Sequence, residues 1–124
     1  MRILIVDDHQ LVRRGVAGLL SKEAGWEICG EAAGTPEALE KASSLNPDLI
    51  LLDISMPTMN GIEAAERIQQ ATPGSRVIFL TQNTDSEIMS AALNAGAKGY
   101  VLKANAATEL LPVIAAALPD RSPV

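Results

Sequence analysis

The sequence predicts an α/β domain built on a doubly wound, five-stranded parallel sheet flanked by five helices. Three observations predict it. Short apolar runs alternate with longer segments of helical period. Three of those runs, Ile3-Leu4-Ile5-Val6, Leu49-Ile50-Leu51-Leu52 and Val77-Ile78-Phe79-Leu80, are apolar without alternation, as in strands covered on both faces. Five successive β-α units imply right-handed crossovers, which place helices on both sides of a parallel sheet.

The elements follow in order. Ile3–Val6 is the first strand. Leu11 to Leu20 carries Leu11, Val12, Val16, Leu19 and Leu20 at helical spacing. Trp26-Glu27-Ile28-Cys29 is the second strand, with Trp26 near its amino end; Glu27 and Glu31 make it an edge strand. Thr35-Pro36-Glu37 opens the second helix, with Thr35 as cap and Pro36 in the first helical position. Leu49–Leu52 is the third strand, and Gly61 to Gln70 places Ile62, Ala65 and Ile68 on one stripe. After the fourth strand, Val77–Leu80, the run Thr84-Asp85-Ser86-Glu87 reads as a capping box, with Gly96 closing the helix it starts. Gly99-Tyr100-Val101-Leu102 is the fifth strand. Asn105 caps a last helix carrying Leu110, Leu111, Ile114 and Leu118, bent or loosened by Pro112. Residues 1–118 read as one domain and residues 119–124 as the start of a linker or a C-terminal tail.

Composition narrows the function. A chain of 124 residues makes one domain, able to bury roughly two-thirds of its unfolded surface. With 48% hydrophobic and 20% charged residues it is not disordered. The net charge of -5, and no basic run beyond Arg13-Arg14, argue against direct nucleic-acid binding, which needs clustered cations. A single cysteine, Cys29, excludes an internal disulfide and reads as a small buried core residue. The amino-terminal apolar run is too short for a signal peptide and meets Asp7-Asp8 at once. No run approaches a membrane span, so a cytoplasmic location is expected.

In open α/β sheets, ligands bind beyond the carboxyl ends of the strands. Asp7 and Asp8 follow the first strand, Asp53 the third, Thr81 the fourth and Lys103 the fifth. Three adjacent carboxylates repel one another unless a cation neutralises them, and a hard divalent ion such as magnesium suits oxygen donors. A carboxylate can attack phosphorus to give an aspartyl-phosphate, and the transfer needs little beyond positioning and positive charge. Singly, each residue has a plainer reading: an acid after a strand is a turn residue or a helix cap, Thr81 a turn cap, Lys103 a solvated charge. Together, at four of five strand ends, they point to phosphoryl chemistry. His9 has no second metal-ligating residue at useful spacing and reads as a surface or capping residue.

These motifs resemble the receiver domains of bacterial response regulators along nearly the whole chain. The matching stretches are Asp7-Asp8, Leu51-Leu52-Asp53-Ile54-Ser55-Met56-Pro57 followed by Gly61, Leu80-Thr81, and Gly99-Tyr100-Val101-Leu102-Lys103. Asp7-Asp8-His9, Arg14-Gly15 and Gly96-Ala97-Lys98-Gly99-Tyr100 look like the NarL/FixJ (LuxR-type) branch, whose members usually carry a helix-turn-helix DNA-binding domain after the receiver. The resemblance implies a flavodoxin-like sheet of order 2-1-3-4-5. It implies Asp53 as phosphoacceptor from a histidine kinase or a small phosphodonor. Magnesium would be held by Asp8, Asp7, Asp53 and the Ser55 backbone carbonyl. Lys103 would pair with the phosphoryl group, and Thr81 and Tyr100 would be the switch residues. Pro57 would shape the loop after Asp53, and Gly61 would permit the turn into the next helix. A phosphorylation-dependent homodimer is a further expectation.

Two positions depart from the pattern. Gln82 stands where a small residue is common, and Ala104 where this branch often has an acid. Neither removes a reactive group. A stand-alone receiver would act by protein–protein contacts instead of through an output domain. A phosphohydrolase of the haloacid dehalogenase type needs a second acid two residues after the nucleophile, where this chain has Ser55. A pseudo-receiver would lack the acid pair, threonine and lysine that are present.

Overall fold

The computed structural model describes residues 1–54, 61–82 and 85–117. Its strands are β1 (Arg2–Val6), β2 (Glu27–Ala32), β3 (Leu49–Leu52), β4 (Arg76–Thr81) and β5 (Gly99–Leu102). The helices are α1 (Gln10–Leu20), α2 (Thr35–Leu45), α3 (Gly61–Ala71), α4 (Ser86–Asn94) and α5 (Ala106–Ala117), the last preceded by a 3-10 turn over Lys103–Asn105. All strand pairs are parallel, in the order β2-β1-β3-β4-β5. The edge position of β2 and the full strand order agree with the sequence reading.

Alternation along each buried strand supplies two cores. Leu4, Val6, Ile50, Leu52, Val77 and Phe79 face one side, against Ala38 and Ala42 of α2, Ala64, Ala65 and Ile68 of α3, and Ala92 of α4. Ile3, Ile5, Leu49, Leu51, Ile78, Leu80 and Val101 face the other, against Val16 and Leu20 of α1 and Leu110 and Ile114 of α5. The alanines let the first set of helices lie close to the sheet. Each large aliphatic side chain so buried contributes about 1.5–3 kcal/mol.

Several local expectations shift. Trp26 sits just before β2, not on it. Against β1, Ile28 pairs with Ile3 and Gly30 with Leu4, so Cys29 is the extra residue of a bulge. It is partly buried, and its burial pushes the thiol pKa up. The α2 cap is Gly34, which makes Thr35 the first helical residue; the Thr35 hydroxyl is buried without a hydrogen-bond partner. Leu11 is 80% exposed and lies off the buried stripe of α1. For α4 the cap is Asp85, whose carboxylate accepts the Glu87 N–H. Thr84, Leu118 and the 119–124 tail lie outside the described residues. Pro112 is inside α5, as the sequence indicates.

Candidate functional site

The ladder carries the acids into place. The Asp7 N–H donates to the Ala32 carbonyl at 3.0 Å and the Asp53 N–H to the Val6 carbonyl at 3.1 Å, each extending its strand pairing by one step. Both side chains are therefore fixed at the carboxyl edge of the sheet, 2% and 3% exposed. The 3-10 turn after β5 brings Lys103 back over them. Its ammonium lies 2.7 Å from Asp7 Oδ2 and 3.1 Å from Asp53 Oδ2. Burial disfavours the charged ammonium, but hydrogen bonding to Asp7 and Asp53 outweighs this and raises the Lys103 pKa.

Asp8, more exposed, lies beside Asp7. Ligand atoms of Asp7, Asp8 and His9 stand within 4.8 Å of one another. His9 Nδ1 is 3.0 Å from Asp8 Oδ1 and 3.3 Å from Asp7 Oδ1. The Asp8 contact is short in distance but not oriented as a hydrogen bond, so Asp8 Oδ1 is buried without a hydrogen-bond partner. A buried carboxylate oxygen left unpaired is costly and suits a cation site. His9 is exposed and caps a helix, as the sequence indicates, and its ring lies beside the acids. It caps α1 by backbone geometry, without a side-chain cap bond, and its N–H donates to Asp7 Oδ1 at 2.9 Å.

Sequence reasoning also missed Arg13. Its guanidinium donates to the Asp7 carbonyl at 2.6 Å and to Glu31 Oε1 at 2.9 Å, tying the first acid to α1 and β2. The only signal was position, since Arg13 falls one helical turn after His9. Gly61 permits a close start of α3 by lacking a side chain, not by a special φ. Its φ is ordinary, but a Cβ there would stand 2.2 Å from the Asp53 carbonyl oxygen and 2.6 Å from Ile54 Cα. The Gly61 N–H donates to the Ile54 carbonyl at 2.7 Å, so α3 starts directly against the Asp53 backbone.

Thr81, expected at the pocket rim, is fully buried. Phe79 pairs in register with Tyr100 and Thr81 with Leu102, which sets Thr81 and Tyr100 diagonally on one face of the sheet. The Tyr100 ring is tilted 49° to Phe79, with centroids 6.4 Å apart. Burial, then the charges of Asp85 and Asp53, raise the Tyr100 pKa. Gln82 and Ala104 are exposed. Behind Lys103, Val12, Gly15, Val16, Leu80 and Ala106 wall a small cavity of about 230 Å³. Ser55 and Pro57 lie outside the described residues. No helix among the described residues is long and apolar enough to cross a membrane.

Residues 3–115 match the family model of the response regulator receiver domain. The response regulator protein VraR of Staphylococcus aureus is 38% identical over 114 residues, which are 92% of this chain and 54% of that protein. The chain thus spans about half the length of the curated relatives it matches. A two-component response regulator of the LuxR family from Aurantimonas sp. SI85-9A1 superposes with a TM-score of 0.88 at 36% identity, covering 93% of this chain and 82% of that one. The CheX–CheY–BeF3–Mg2+ complex from Borrelia burgdorferi gives 0.90 at 27% identity, covering 97% and 90%.

Proposed function

The chain belongs to the response regulator receiver family, and from that premise we propose that it accepts a phosphoryl group on Asp53 from a histidine kinase. One observation carries the reading: two almost fully buried carboxylates, Asp7 and Asp53, share the Lys103 ammonium at the carboxyl edge of the sheet.

Each residue then has a task. An Asp53 carboxylate oxygen forms the new bond to phosphorus as the donor's bond to phosphorus breaks and its leaving group departs. Lys103, already held against Asp53, faces the transferred oxygens with positive charge. The Thr81 hydroxyl donates a hydrogen bond to the new group. Asp7, Asp8 and Asp53 would hold magnesium, a fit supported by the unpaired Asp8 Oδ1; the Ser55 carbonyl is proposed as a further ligand. When bound, the ion offsets carboxylate repulsion and stabilises charge on the phosphoryl oxygens. Arg13 holds the Asp7 backbone in register with β2.

This makes the chain a signalling domain that catalyses its own phosphoryl transfer and dephosphorylation. Its output is proposed to be transcription, through a DNA-binding domain of the kind the LuxR-type branch carries, and its location cytoplasmic. The test is incubation with acetyl phosphate followed by intact mass. Wild type should gain one phosphoryl group when magnesium is present. Asp53→Asn, or wild type with a chelator, should gain none; unchanged labelling in either would overturn the mechanism.

A further inference from the structure

We propose that His9 is a nitrogen ligand of the divalent-cation site, shifting its preference toward later transition ions such as cobalt, nickel and zinc. The inference rests on the receiver reading above and concerns the selectivity of the same site.

His9 Nδ1 stands 3.0 Å from Asp8 Oδ1 and 3.3 Å from Asp7 Oδ1. Ligand atoms adjacent on an octahedral ion with bonds of about 2.0–2.1 Å stand about 3.0 Å apart. The Asp8 approach is at ion-pair distance but is not oriented as a hydrogen bond, since Asp8 Oδ1 is buried with no hydrogen-bond partner. Two ligands of one ion point at the ion between them and not at each other. The arrangement is held from behind: the His9 N–H is fixed to Asp7 Oδ1 at 2.9 Å, and the Asp7 carbonyl to Arg13.

The chemistry follows from the donor. Magnesium dehydrates reluctantly and takes oxygen. Imidazole suits zinc, copper, iron and nickel, and affinity at a nitrogen-containing site rises from manganese through cobalt to nickel. A site with one imidazole beside its carboxylates should therefore favour cobalt over magnesium more strongly than the same site without it.

His9 is the sole histidine, so tag-free protein gives an unambiguous signal. The affinities of wild type, His9→Ala, His9→Gln and Asp8→Asn for magnesium and for cobalt are measured by calorimetry at fixed pH. Cobalt-loaded wild type is examined for paramagnetically shifted imidazole protons. Both His9 variants should weaken cobalt binding about tenfold or more beyond any weakening of magnesium binding. The shifted resonances should be present in wild type. Equal changes for the two ions would mean that the imidazole acts only as a neighbouring charge or filler, and would overturn the inference, as would absent shifts. Asp8→Asn should weaken both ions. If it weakens both while the His9 variants behave as wild type, the inference fails and the receiver reading stands. If it leaves both affinities unchanged, the receiver reading of this pocket fails, and the inference with it.

Discussion

The Lys103 ammonium lies 2.7 Å from Asp7 Oδ2, closer than its 3.1 Å approach to Asp53, the proposed nucleophile. Asp7 thus holds the lysine in place, and Asp53 shares a cation already positioned. Removing Lys103 leaves two buried carboxylates facing each other, whereas removing the Asp53 charge leaves one satisfied pair. Lys103→Met should therefore cost about 3 kcal/mol at neutral pH without metal, and Asp53→Asn markedly less. Because its pKa is raised in the fold, the Lys103 contribution is fully present below the ordinary ammonium value of 10.5 and is lost as pH rises through the higher folded one. Urea unfolding across the alkaline range checks both points. Wild type should lose more stability there than Lys103→Met, and equal slopes would show that the pair contributes nothing.

Two glycines should respond in opposite directions. At Gly61 an added Cβ meets the Asp53 carbonyl oxygen at 2.2 Å, backbone that cannot yield cheaply. Gly61→Ala should cost roughly 2 kcal/mol or more and slow labelling of Asp53. At Gly15, in the middle of α1, nothing lies within 4 Å of the new atom. Gly15→Ala should stabilise the protein by about 0.5–1 kcal/mol through helix propensity alone. Thermal denaturation of the two variants side by side decides the matter; destabilisation of both would mean that α1 needs the space beside Gly15.

How far the sequence foretold all this depended on burial. β3 is covered on both faces, and its bounds, Leu49–Leu52, are those of the apolar run itself. β2, an edge strand with a bulge at Cys29, carries a weaker apolar signal, and its start and length shifted. Caps moved by one residue at Gly34 and Asp85, because neighbouring cap-forming residues compete for one position. Asp7, Asp53 and Lys103 were legible because strand ends point to them. Arg13 was not, because it returns to the site from α1 through side-chain geometry that spacing does not encode, and His9, directly after Asp8, reads from spacing only as a surface or capping residue.

Tyr100 is the only tyrosine, so its ionisation can be read directly from tyrosinate absorbance. The midpoint should lie above the ordinary value of 10.0, because burial and then the charges of Asp85 and Asp53 disfavour the phenolate. Folded protein holds this proton more tightly than unfolded protein. The associated stability is therefore present below pH 10.0 and lost as pH rises through the folded value. Asp85→Ser keeps a good α4 cap while removing its charge, and should lower the midpoint. An unchanged midpoint would assign the shift to burial and Asp53 alone.

The last prediction concerns output. A phosphoryl group at Asp53 adds about two negative charges and strong acceptor oxygens. Thr81, fully buried on the adjacent strand end, carries the hydroxyl able to move toward them. Tyr100 lies diagonally across β4–β5 on the same face, half-buried against Phe79, and can follow into space that the threonine vacates. A coupled move of this kind is a two-state element that a local charge biases. The surface it would alter is formed by α4, β5 and α5. On α4 only Ala92 is buried; Ile88 and Met89 are half-buried and Leu93 is 46% exposed, so apolar side chains are available there. Phosphorylation should accordingly strengthen self-association through this face. Sedimentation of wild type, Thr81→Ala and Tyr100→Ala, with and without beryllofluoride, tests it. Wild type should shift to a larger species with the mimic, Thr81→Ala should shift less while Asp53 still binds it, and Leu93→Lys should abolish the shift. Identical behaviour of wild type, Thr81→Ala and Tyr100→Ala would mean that these two residues do not form the switch for self-association.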